Sequence, residues 1–220
     1  MASTPNTKKS SKESKPLIPY RQIRALYDDE TITVYQAYSA PIALAAVTHQ
    51  KLNASPDFKM QRMTWIKPSW CWMMYRSGYS FKDARQAHIL ALKMRHEDFE
   101  RLLKEAAVCK DEKLSAEERR RDVRVQWDPE RSPVLGPLGY RSIQIGISGE
   151  MARWWVEEGV VEIEDVTGRA RDMKSVVDGR KKVEKVEVEK LVERGLMPVE
   201  VEYVVSEEVR GILRMDVEGE

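Results

Sequence analysis

The clearest pattern is the alternation of residues 31–38, TITVYQAY, where β-branched and aromatic side chains predict a strand. Ile32 and Val34 share one face and Tyr35 takes the other. Ser39 then stands at an N-cap position and Pro41 in the first helical turn, where its missing N–H costs little. Residues 41–47 are nearly all apolar, so the helix they predict is buried. The densest apolar stretch follows at 61–78, QRMTWIKPSWCWMMYRSG, with Trp65, Trp70 and Trp72 among methionines. It reads as two strands, 62–66 and 70–76, broken at Lys67-Pro68. A helix starting at Ser80 or Asp83 is expected to turn Ala87, Leu90, Ala91 and Met94 inward, and a second, 98–107, to bury Phe99, Leu102, Leu103 and Ala106.

In the second half, 123–128 alternates as a strand and 129–139 is a loop rich in proline and glycine. Residues 140–147 form a strand carrying Ile143, Ile145 and Ile147 on its apolar face. Ser148-Gly149-Glu150 caps a helix over 151–158, and 160–166 is another strand. Past Gly168, Val183, Val186, Leu191 and Val192 make a thin apolar stripe on a charged helix. A strand at 199–205 and a short helix at 206–215 close the chain. Together these runs predict an α+β fold, a single domain with a mixed, mainly antiparallel sheet of about five to seven strands and packed helices. Its organisation is a disordered basic leader (1–19), a core domain (20–167) and a charged accessory extension (168–220).

Composition narrows the function classes. The 220 residues are 42% hydrophobic and 33% charged with a net charge of +1, which argues against a grip on nucleic acid by bulk charge and leaves room for a local basic face. No apolar run approaches the roughly 20 residues of a membrane span. The N-terminus has no apolar core of a secretory signal. Cys71 and Cys109 therefore read as reduced thiols of an intracellular protein, cytoplasmic or nuclear. The three histidines are too widely spaced for a metal site, so no metal is expected.

The polar residues that stand out lie at predicted strand ends and turns: Arg24, Tyr35, Gln36, Tyr38, Ser39, Lys67, Arg76, Ser77, Arg141, Ser142 and Gln144. Arginines and a lysine beside rings and helix N-termini suit phosphates and a stacked base. The turn 144–150 sets small residues beside helix N–H groups, as an anion site needs, although it is neither a Walker loop nor a complete dinucleotide fingerprint. No nucleophile elbow occurs.

Several motifs carry a family resemblance: Arg21-Gln22-Ile23-Arg24-Ala25, Val34-Tyr35-Gln36-Ala37-Tyr38-Ser39, Met63-Thr64-Trp65-Ile66-Lys67-Pro68-Ser69, Trp72-Met73-Met74-Tyr75-Arg76-Ser77-Gly78, Gln126-Trp127-Asp128-Pro129-Glu130-Arg131 and Arg141-Ser142-Ile143-Gln144-Ile145-Gly146. Over about 20–167 the chain resembles the family catalogued as domain of unknown function 4291. It is more distantly similar to the ADP-ribosyltransferase fold, in its RNA 2′-phosphotransferase branch, through Arg24-Ala25 and Gln36-Ala37-Tyr38-Ser39. Tyr38 stands where that branch has a histidine, and Gln144 is the nearest counterpart of the transferase glutamate. That similarity implies an enzyme that binds NAD or a similar nucleotide and transfers ADP-ribose to a nucleic acid or protein. Arg24, Lys67, Arg76 and Arg141 would hold phosphates, Tyr35 or Tyr38 would stack, and Gln144 would orient the ribose. The alternatives are a non-catalytic RNA- or nucleotide-binding module and a protein-interaction domain whose tryptophans are all core.

Overall fold

A computed structural model describes residues 18–109, 114–179 and 186–215. Most of the expected leader (1–17), residues 110–113 of the charged run and Val183 of the apolar stripe lie outside the described residues. The first strands are β1 (Arg24–Ala25) and β2 (Thr31–Tyr38), the latter where the alternation predicts it. Helix α1 (Ala40–His49) follows, with Ser39 at its N-cap. Strand β3 (Thr64–Ile66) leads into helix α2 (Trp70–Ser77), and β4 (His88–Arg95) into α3 (His96–Lys104) and β5 (Ala106–Val108). The second half contributes β6 (Val123–Arg131), β7 (Pro137–Ile147), α4 (Gly149–Trp154), β8 (Glu162–Asp165) and α5 (Thr167–Gly179). Helix α6 (Val188–Glu193), strand β9 (Val201–Glu202) and helix α7 (Glu207–Ile212) complete it.

These elements form one α+β domain whose strands fall into three sheets, not one. An antiparallel sheet runs β2-β4-β8, and a second runs β3-β7-β6-β5 with β5 parallel to β6. β1 pairs with β9. The two larger sheets meet at one backbone bridge, where Tyr35 N–H donates to the Lys67 carbonyl at 2.6 Å and Lys67 N–H to the Tyr35 carbonyl at 3.1 Å. β2 and β4 separate two cores. Ile32, Val34, Leu90, Leu92 and Met94 face one, while Tyr35, Ile89 and Ala91 face the other with Trp70, Met73 and Met74. The segment after residue 167 supplies Met173, Val177 and Leu191 to the second core and Tyr203, Val209 and Leu213 to the first.

Two expected elements take the other type as a whole. Residues 70–77 are a helix, not a strand. The Ser69 hydroxyl accepts from Trp72 N–H, and Gly78 ends the helix at φ +57°, a left-handed value glycine adopts without strain. An unbroken apolar run gives no period, so the two caps decide the type. Conversely, 88–95 is a strand, not a helix. Both its faces are buried, and a doubly buried strand mimics helical spacing through its apolar content alone. The expected loop 129–139 also shortens, because β6 accommodates Pro129 at a register shift and β7 admits Pro137 at its first residue.

Candidate functional site

A cleft of about 560 Å³ opens where the end of β2, the loop before β3, α2 and the middle of β7 converge. Its wall carries five basic side chains, Lys59, Arg62, Lys67, Arg76 and Arg85, against one carboxylate, Asp57. Four rings line it as well: Tyr38, Phe58, Trp65 and Trp72. Trp65 lies across from Gly146 in the β3–β7 register. A β-carbon at 146 would come within 2.8 Å of Met63 Sδ and 2.9 Å of the Trp65 ring, so glycine is what lets the indole lie against the sheet.

Lys67 is the unusual cation. It is only 3% exposed, and its Nζ donates to the Trp65 carbonyl at 3.3 Å and stands 4.8 Å from the Trp72 ring centroid. Among the described residues no carboxylate lies within ion-pairing distance of it. Burial first, and then the neighbouring Arg76 charge, push its ammonium down to about 7, while Asp128 pulls the other way. The amide of Gln144 donates to Gln126 Oε1 at 2.8 Å and Asp128 Oδ2 at 2.6 Å, which leaves Gln144 Oε1 as an acceptor. Burial holds Asp128 above the ordinary carboxylate value, against that hydrogen bond and the Lys67, Arg141 and Arg131 charges.

The β2 side of the cleft is polar too. Gln36, 7% exposed, donates to Thr64 Oγ1, and its Oε1 is buried with no partner. Flipping the amide would only exchange which atom lacks one, so a ligand donor or acceptor is the natural complement. The Tyr38 hydroxyl stands 3.4 Å from Thr64 Oγ1, and burial raises its pKa, so it stays neutral. Ser39 makes no side-chain cap hydrogen bond and also lines the cleft.

Six of the eleven expected residues therefore come together: Gln36, Tyr38, Ser39, Lys67, Arg76 and Gln144. Five do not line the cleft. Tyr35 packs edge-on against Trp70 at 5.2 Å, with its hydroxyl buried. Ser77 donates to the Met73 carbonyl within α2. Arg24 donates to the Glu200 carbonyl and Gln22 Oε1, and Arg141 to the Tyr20 hydroxyl. Ser142 hydrogen-bonds Glu130 in an acidic cluster at the start of α2. There the Ser69 hydroxyl donates to Glu130 Oε1 at 2.8 Å and Trp70 N–H to Glu200 Oε1 at 2.6 Å. Burial and the neighbouring Glu130 push Glu200 well up, and burial also raises Glu130.

The expected anion turn at 144–150 is already filled. Asp122 Oδ2 accepts from Glu150 N–H at 3.0 Å and Met151 N–H at 3.4 Å, occupying the donors an anion would use. His88 belongs to β4, where its Nδ1 lies 2.9 Å from Asp165 Oδ2, and His96 is tied to Tyr203 and the Asp28 carbonyl. Sequence reasoning passed over Arg62, Arg85, Thr64 and Asp128. For Asp128 a signal existed, since the alternation of 123–128 sets it with Gln126 opposite Val125 and Trp127. The two arginines look like any exposed loop arginine until the chain folds.

No helix among the described residues is long and apolar enough to cross a membrane. The sequence model of one protein family, described as a domain of unknown function (DUF4291), matches residues 22–203. No curated protein matches the chain.

Proposed function

The chain belongs to that family, and from the geometry of its cleft we propose that it is a nucleotide-binding transferase taking a ligand of the NAD kind. One observation carries the reading: five basic side chains and four rings converge on one cleft against a single carboxylate. Guanidinium groups bind phosphate oxygens through paired N–H bonds, and flat rings receive an adenine or nicotinamide face. Arg62 and Arg76, which have no ion-pair partner among the described residues, are the phosphate anchors. Trp65 offers the stacking surface, and Trp72 backs the wall beneath Lys67. Gln36, Tyr38 and Gln144 supply hydrogen bonds suited to ribose hydroxyls. Transfer of ADP-ribose from NAD to a nucleic acid or protein is the reaction the wider similarity adds to this complex.

Calorimetry tests the reading with NAD, ATP, 2′-phosphorylated RNA and adenosine. The phosphorylated ligands should bind and adenosine should bind far more weakly, with affinity falling about tenfold or more in Arg76→Ala. Absence of binding to every phosphorylated ligand ends it. Binding that weakens steeply with salt and never leads to turnover returns the site to a non-catalytic RNA module.

A further inference from the structure

We propose that Lys67 is the nucleophile of the cleft and takes a nucleotidyl group onto its amine before that group passes to an acceptor. The inference rests on the nucleotide-binding reading above, adds the reacting atom, and puts nucleotidyl transfer in place of ADP-ribosyl transfer as the class of reaction.

The placement of Lys67 is unlike that of a structural lysine. A buried ammonium in a core ordinarily has a carboxylate against it, because an unpaired buried charge is costly. Lys67 is held at the cleft wall by its backbone bridge to Tyr35, yet its Nζ meets one carbonyl and one indole face. The nearby acid, Asp128, is engaged by Gln144 instead. Lysine amines become nucleophiles through desolvation or an adjacent cation, and Lys67 has both, the second from Arg76. With its ammonium pushed down to about 7, a large fraction of the amine carries a free lone pair near neutral pH.

The charge of the wall selects the electrophile. Attack at the ribosyl carbon of NAD proceeds through a cationic, oxocarbenium-like state. Lys59, Arg62, Arg76 and Arg85 oppose such a charge, and Asp57 is the one carboxylate of the wall. Attack at the α-phosphorus gathers negative charge on the phosphoryl oxygens and the departing phosphate, which guanidinium groups stabilise. In that step the Nζ lone pair forms an N–P bond. The phosphoanhydride P–O bond breaks, and its electron pair leaves on a mononucleotide (from NAD) or on pyrophosphate (from a nucleoside triphosphate). One Nζ proton passes to water through the open cleft. An acceptor hydroxyl then attacks phosphorus, the N–P bond breaks, and the hydroxyl proton restores the amine.

Intact-mass and peptide mapping of the full chain test this after incubation with ATP or with NAD in the presence of magnesium ion, from pH 6 to 9, under an alkaline quench that preserves phosphoramidates. The expected result is one adenylate on the Lys67 peptide, released by acid, with a yield that falls about tenfold per pH unit below neutrality. Which of the two donors forms the adduct identifies the source. Lys67→Arg should bind nucleotide and form no adduct; should that variant not fold, the mapped wild-type adduct decides by itself. Nucleotide binding without an adduct, an adduct on another residue, or an adduct with the mass of ADP-ribose overturns the proposal and leaves the cleft reading standing. Absence of nucleotide binding removes both.

Discussion

Tyr35 and Lys67 exchange backbone hydrogen bonds in both directions and then send their side chains to different places. Tyr35 packs against Trp70 in the second core, while Lys67 faces Trp72 in the cleft. The bridge fixes the lysine's backbone at the cleft wall, where its amine lies against the Trp65 carbonyl and the Trp72 ring. The protein thereby accepts a buried, unpaired base whose effects can be measured.

Stability should show the cost directly. Lys67 ordinarily takes up its proton near 10.5, but in the folded chain only near 7. Between those values unfolding binds a proton, so this residue's penalty shrinks as pH rises above 7 and is complete below it. Lys67→Met removes the base and keeps the length. Its melting temperature should exceed the wild type's at pH 6, at about 2–4 °C per kcal/mol relieved, and the advantage should narrow by pH 9. An advantage independent of pH would show that the amine is not depressed.

Arg76 and Asp128 pull the amine in opposite directions, and each charge can be deleted. Arg76→Ala should move the midpoint of amine reactivity upward, and Asp128→Asn should move it downward, each on the order of one pH unit. The pH profile of Lys67 modification by a small amine-selective reagent, read by mass spectrometry, checks both. Shifts of the same sign would mean that the variants act through packing.

Gly146→Val is expected to dislodge Trp65. The added carbons meet Met63 Sδ and the indole ring well inside contact distance, and relief by moving side chains costs about 1–3 kcal/mol. Nucleotide affinity should fall with it, while far-UV dichroism stays that of a folded chain. Unchanged affinity would remove Trp65 from the site.

Glu200 offers the converse titration. Its carboxyl is raised by burial and by Glu130, so the unfolded chain ionises first and stability falls as pH climbs above the ordinary 4.5. Glu200→Gln keeps a carbonyl for Trp70 N–H and drops the charge. It should melt above the wild type at pH 8 and close to it at pH 5, as thermal scans at the two values would register.

Helix α3 is readable from sequence because solvent marks one of its faces, and the Ile143-Ile145-Ile147 strand because polar or small residues alternate with its isoleucines. β2 is buried on both faces and is legible instead through its β-branched and aromatic residues. Residues 70–77 and 88–95 show none, since α2 and β4 are enclosed on nearly all sides. Site convergence was partly legible for a similar reason. Lys67 and Arg76 are cations amid rings, and such a cation must emerge somewhere. Arg24 and Arg141 resemble them in type but are drawn away by Glu200 and Tyr20, partners 176 and 121 positions distant along the chain. Pairings of that span leave no local trace.

The same span bears on the order in which the molecule assembles. β1 finds its partner β9 nearly a chain length later, and Arg21 reaches the carbonyl of Arg214. Loop closure grows only slowly with length, by about 0.6 kcal/mol per doubling, so the finished fold loses little by it. Kinetics are another matter. A strand that leaves the ribosome long before its partner has to wait for it, its unpaired edge open meanwhile to other chains. The first core draws Ile23 and Ala25 from one side of that seam and Tyr203, Val209 and Leu213 from the other, so core and seam close together, and that joint closure is the place where a chaperone's help would tell most.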